Sequence, residues 1–301
     1  MVTVALAIRH RLDDGGTPSG GNGSAVVVIC ATDLADACRA LGSGVVVRTA
    51  AAAETAAAIA AGTLAADVDG WVTTSAWVEV IASRAPRALT TVAPIATSPT
   101  VVAAAPGRLA AILALCGGTD AWSCLGEAAG DLWGELGDGA HPEWRELKVG
   151  LMDPDSAVGL SVLASAAAGF VGSRTFSAND PAFADFEGWL ATLAAPSASG
   201  DADPAQTLVT RPGTYSAAGS VAALAGRVRD RGVGTLSPEP AVASTVVLAG
   251  VAGRQRLPAV DPVRTALVEA GWSPATTPDI APTLKPGVMA ALHSLWRAVT
   301  R

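Results

Sequence analysis

No apolar run in the 301 residues approaches the roughly 20 needed to cross a bilayer as a helix. Even Val2 to Ile8 is short for the core of a signal peptide. Lysine is nearly missing: Lys148 and Lys285 are the only two among 20 basic residues, and no window gathers Lys and Arg into a patch able to neutralise a row of phosphates. With a net charge of −7, the chain offers nucleic acid nothing to bind. Catalytic signatures are lacking as well. There is no G-x-S-x-G, no Walker A loop, and no G-x-G-x-x-G after a strand. His10, His141 and His293 fall in an N-terminal tail, a Pro-flanked loop and a terminal helix, so no Ser/His/Asp or metal cluster assembles from them. Glu143 and Glu146, on either side of Trp144, read as a solvated loop. No cofactor, metal or catalytic group is expected.

What is present suits a packed α/β protein. Half of the residues are hydrophobic and only 16% are charged, with Ala and Val dominating the apolar count. The length allows two lobes of ordinary size, each with its own core. The cysteines form two local pairs of identical C-x7-C spacing, with no Cys-x-x-Cys and no nearby histidine, which disfavours zinc. The spacing predicts disulfides Cys30–Cys38 and Cys116–Cys124, each worth roughly 2.5 kcal/mol by loop closure. They imply an oxidising compartment. Four buried reduced thiols are the alternative.

Along the chain, β-branched runs too short for buried helices alternate with Ala-rich helical segments. Ala25–Cys30 precedes a helix over Leu34–Leu41, Gly44–Arg48 precedes Ala52–Ala61, and Val68–Val72 precedes Ala76–Ser83. Such alternation predicts a parallel sheet covered on both faces. Thr90–Ala105 is extended through two prolines and long enough to cross between lobes. Helices follow over Pro106–Leu115 and Ala121–Leu136, then a strand at Leu147–Met152 and helices over Ala157–Phe170 and Phe183–Leu193. Beyond the loop Pro196–Asp203, a strand is expected at Thr207–Thr210, a helix from Ser216 to Val228, a second crossing strand at Ala243–Val251, and helices over Pro262–Ala270 and Gly287–Val299. Ahead of all this, Val2–Ile8, Arg9-His10-Arg11 and the connector Gly15–Ser24 read either as a trimmed anchor with its tether or as a terminal tail. The sequon Asn22-Gly23-Ser24 within the connector reads as a chance triplet.

Several pieces carry a resemblance. VVVICATDLADACRAL looks like the opening strand and helix, and LAADVDGWVTTSAWVEVI the third strand and cleft-facing helix, of type II periplasmic solute-binding proteins, with the molybdate-binding branch the nearest in style. IATSPTVVAAAPGRLAAIL is similar to the family's hinge strand, and LKVGLMDPDSAVGLSVL to the second-lobe strand and helix that begin at a DP turn. The resemblance covers Ala25 to about Trp272, and the tail GVMAALHSLWRAVTR is similar to segments that lead into a further domain. It implies a two-lobed α/β fold, each lobe a mostly parallel sheet flanked by helices. Residues 1–23 would be tail or linker, 24–97 with 243–301 the first lobe, and 98–242 the second. It also implies an extracytoplasmic protein, membrane-anchored in a longer form, that closes by hinge bending on a small polar solute or oxyanion and meets a membrane transporter or sensor. A ligand-degenerate scaffold domain of a larger membrane-anchored protein is the alternative.

The candidate contacts sit where strands end and helices begin, because unpaired N–H groups there bind polar groups without basic side chains. They are Thr32, Asp33, Thr74, Ser75, Ser156, Tyr215 and Ser216, joined by Ser98 of the hinge strand. All but Tyr215 are also ordinary capping types, and an acid common in relatives soon after the position of Ser216 is missing. Asp33, Asp153 and Asp155 would repel an anion unless turned away, so neutral and amine-bearing solutes stay open. Trp71, at a strand end, is the tryptophan expected nearest the cleft, while Trp77, Trp189 and Trp296 are expected in the core.

Overall fold

The computed structural model describes residues 25–117, 120–138, 141–179, 185–195, 200–254, 256–275 and 287–300. The N-terminal tail, its sequon, the start of the helix expected from Phe183 and the first half of the 196–203 loop lie outside them. Three β–α units open the fold: β1 (Val26–Ala31) with α1 (Ala35–Cys38), β2 (Val45–Ala50) with α2 (Ala52–Ala60), and β3 (Gly70–Thr74) with α3 (Ser75–Arg84). β1 lies parallel to both β2 and β3, as apolar strands separated by helices require. β1 and β3 are buried almost throughout, whereas β2, at the sheet edge, is only partly covered.

β4 (Leu89–Ala104) is the extended segment foreseen, 16 residues long. Its first part pairs antiparallel with β8 (Ala243–Val251), from Leu89 to Pro99, with register shifts before Val92 and after Pro94. From Thr100 onward it pairs with β6 (Ala217–Val221) and β7 (Gly234–Leu236) instead. A single strand therefore belongs to both halves of one nine-stranded sheet, with β2-β1-β3-β8 to one side and β6-β5 to the other. β5 (Val149–Gly150) runs parallel to β6, and β9 (Ser273–Pro274) adds to β4. Each lobe is thus a mixed sheet flanked by helices, its parallel strands outermost. β8 does not itself cross between lobes, since it stays paired with β3 and β4. The crossing is made just before it, where the Val242 carbonyl accepts from Thr100 N at 2.8 Å.

The remaining helices are α4 (Pro106–Cys116), α5 (Ala121–Glu127), α6 (Ala157–Val171), α7 (Phe186–Ala194), α8 (Pro204–Thr210), α9 (Ala222–Gly226), α10 (Asp261–Glu269) and α11 (Val288–Val299). α6 is hydrophobic all round, and every residue from Ala157 to Gly169 is buried. Inside it the Ser165 hydroxyl, in a fully buried position, accepts from Trp122 Nε1 at 3.0 Å and from Thr100 Oγ1 at 2.8 Å, tying α5 and β4 to the helix. The disulfides Cys30–Cys38 and Cys116–Cys124 form, joining β1 to α1 and α4 to α5.

Several local expectations give way to physical detail. Thr207–Thr210 is helical, because Asp203 accepts from Gln206 N at 3.0 Å and Pro204 opens the turn, so a cap outweighs β-branched propensity. The helix expected from Ser216 begins as β6. Its run Ala217 to Val221 consists of small residues that fit between β4 and β5, and a side chain at Gly219 would meet Trp122 at 2.7 Å. The segment Leu34–Leu41 breaks into two 3-10 turns around the short α1, and α5 stops at Glu127 rather than Leu136. β7 and β9 were not legible at all.

Candidate functional site

A cleft of about 440 Å³ opens where the carboxyl ends of β1, β5 and β6 converge. Thr32, Asp33 and Ala51 line it from one lobe; Met152, Asp153, Asp155, Ser156, Asp203 and Arg227 line it from the other. The DP turn after β5 brings the second set together. Asp153 holds the turn by accepting Asp155 N on its carboxylate at 3.0 Å, and its carbonyl accepts Ser156 N and Ser156 Oγ. Gly200 packs against Asp153 with φ +68°, a backbone that favours glycine, and any side chain there would strike Asp153.

The first turn of α6 faces this cleft, and its donors are already taken. Ser156 Oγ accepts from Gly159 N at 3.0 Å, as an N-cap does. The carboxylate of Asp33, arriving from the opposite lobe, accepts from Ala157 N at 3.1 Å and from Val158 N at 2.9 Å. Solvent reaches Asp33 through the cleft. The surrounding walls nevertheless push its carboxyl up from the ordinary value, against the pull of the two N–H donors. Burial likewise raises Asp153 and Asp203. Among the described residues, four carboxylates thus line the cavity against one guanidinium, Arg227.

The same turn is gripped from behind. Ala53 N donates to the Asp155 carbonyl at 3.1 Å, Trp77 Nε1 to that of Ser156 at 2.8 Å, and Thr74 Oγ1 to that of Ala157 at 2.7 Å. His293 Nε2 lies 2.6 Å from one oxygen of Asp155 and Arg297 donates to the other at 3.1 Å. Desolvation between Trp77 and its other neighbours lowers the pKa of His293, although Asp155 pulls the opposite way.

Of the residues singled out from the sequence, Thr32, Asp33 and Ser156 line the cleft. Thr74 is fully buried beneath α6 and Ser75 is buried at the start of α3. Ser98 is buried too, its hydroxyl accepting Ala223 N at 3.0 Å to fasten β4 to α9. Tyr215 and Ser216 do not begin a helix; they precede β6, at the strand end opposite the cleft. The Tyr215 ring covers Gly150, and its carbonyl accepts from Arg108. Ser216 Oγ accepts from Trp133 Nε1 and Lys148 N and donates to the Glu146 carbonyl, which makes it a buried junction. Trp71 is likewise wholly buried in the sheet, not at the cleft. Asp203, Leu224 and Arg227 escaped notice because the strand and helix expected around them were misplaced, although D-P-x-Q as a cap was there to be read at Asp203. Among the described residues, no three His, Cys, Asp or Glu side chains converge as a metal site, and no single helix is long and apolar enough to cross a membrane.

No family model and no curated protein matches the chain. Solved structures do. Iron-bound HitA from Pseudomonas aeruginosa shares 15% identity over 91% of this chain and 99% of its own, with a TM-score of 0.58. The periplasmic binding protein AfuA from Actinobacillus pleuropneumoniae, with fructose-6-phosphate bound, shares 12% over 92% of this chain and 96% of its own, at 0.57. The sulfate-binding protein SubI from Mycobacterium tuberculosis shares 16% over 92% of this chain and 98% of its own, at 0.53. At such identities the likeness establishes architecture, and this chain has the two-lobed α/β fold of periplasmic solute-binding proteins.

Proposed function

We propose that this chain is an extracytoplasmic solute-binding domain that holds a small polar solute between its lobes and presents the complex to a membrane transporter or sensor. In this reading one lobe comprises residues 24–97 and 243–301 and the other 98–242. The observation that carries it is the cleft itself, lined from both lobes at the carboxyl ends of β1, β5 and β6, where open α/β sheets bind ligands. Thr32, Asp33, Ser156, Asp203 and Arg227 are the proposed contacts. HitA is iron-bound, AfuA holds fructose-6-phosphate and SubI is a sulfate-binding protein, and the two disulfides suit an oxidising compartment.

A thermal-shift screen against oxyanions, amino acids, sugars and polyamines tests this. A ligand at a hundred times its dissociation constant stabilises by about 2.7 kcal/mol, which raises Tm measurably. No shift across the panel refutes solute binding and leaves the second reading, a ligand-degenerate scaffold. One observation favours that reading: the segment from Asp155 to Val158 is bonded to the opposite side by five residues' side chains and by Ala53 N, with no ligand needed.

A further inference from the structure

We infer that Asp33 is a specificity-determining residue that occupies the anion position of the cleft, so that this protein rejects oxyanion solutes and removal of the side chain opens the cleft to them. The inference rests on the cleft reading above and adds the ligand class it excludes. α6 is 15 residues long, and the partial positive charge at its N-terminus faces the cavity. An anionic group is bound there already: both Asp33 oxygens accept from consecutive backbone amides, at 3.1 and 2.9 Å. The third amide of the turn is closed by Ser156 Oγ at 3.0 Å. An incoming sulfate or molybdate would find none of the three free, and would meet the acceptor oxygens of Asp33, Asp153, Asp155 and Asp203 across the same cavity. Arg227 is the one cation among the described residues of the lining, and it also acts on Asp203. Neutral hydroxylated or positively charged solutes face no such opposition.

Asp33→Ser and Asp33→Asn separate occupancy from charge. Serine is too short to fill the position and leaves two amides to water; asparagine keeps the shape with one oxygen acceptor and guards against a serine variant that fails to fold. Sulfate and molybdate are titrated calorimetrically into the wild-type protein and both variants. In parallel, the amide resonances of Ala157 and Val158 are followed. Asp33→Ser is expected to bind sulfate on the order of 100-fold or more tighter than wild type, since two charge-assisted bonds become available, with both amides shifting on titration. Asp33→Asn is expected to gain less. Wild-type protein binding sulfate as tightly as the variants overturns the inference, and so does a folded variant that gains no affinity. The two proposals fail separately. A wild-type ligand found without any gain in the variants removes only the role of Asp33, and a gain in the variants with no wild-type ligand removes only solute binding.

Discussion

Glu79 lies on α3, partly buried, and desolvation alone pushes its carboxyl from the ordinary 4.5 up to about 7. Among the described residues no cation offsets that burial. Between pH 4.5 and 7 the folded chain holds a proton that the unfolded chain has released, so the native state binds more protons and stability falls as pH rises through this window. Below it the effect is absent, and above it the loss is complete. The interval from 4.5 to about 7 corresponds to about 3 kcal/mol at roughly 1.4 kcal/mol per pH unit, an upper figure because the side chain retains some solvent. Glu79→Gln removes the ionisation while keeping the shape. Urea denaturation of both proteins at pH 4, 6 and 8 then gives a simple pattern. The variant equals wild type at pH 4 and exceeds it by about 2 to 3 kcal/mol at pH 8. Asp33, Asp153 and Asp203 are raised in the same direction, so only the difference between the two proteins at each pH isolates Glu79. Parallel stability curves for variant and wild type, or a variant weaker at pH 8, refute the argument.

Two further substitutions test the geometry around the cleft. A methyl at Gly159 would lie 2.0 Å from the Asp153 carbonyl oxygen, so Gly159→Ala should displace the DP turn from α6 and cost about 3 kcal/mol in denaturant titration; a loss below 1 kcal/mol contradicts the close approach. Ser216→Ala strands the buried indole N–H of Trp133 and should lower stability by about 1 to 3 kcal/mol while leaving the affinity for any cleft ligand unchanged. Altered affinity would return Ser216 to the site.

What could be read from the sequence depended on whether the signal was local. The strands of the first lobe announced themselves because Val26–Ala31 is an unbroken apolar run and Gly70–Thr74 is rich in aromatic and β-branched residues. Disulfide pairing was legible because each bridge is local in the chain. Asp33 was legible as a residue between strand and helix, but its role was not, since the amides it meets lie more than 120 residues away. In the second lobe, small residues erased the distinction on which period depends. SAAGSVAALAG fits a helix or a buried strand equally, and Trp122 and Val162 closing on Gly219 decide for the strand. The contacts proposed at Tyr215 and Ser216 fell with that reversal, while Asp203 and Arg227 emerged from it.

The burial of α6 has an evolutionary consequence. A helix with a wet face can drift by exchanging polar residues, as α4 can, where Ile112 alone is buried. From Ala157 to Gly169 no such face exists, and a side-chain carbon added at Gly169 would lie 2.6 Å from Trp122. Divergence along this helix is therefore confined to exchanges that conserve volume. Across descendants of this fold, α6 should change more slowly than the cleft beside it, preserving the frame while the lining is free to acquire new ligands.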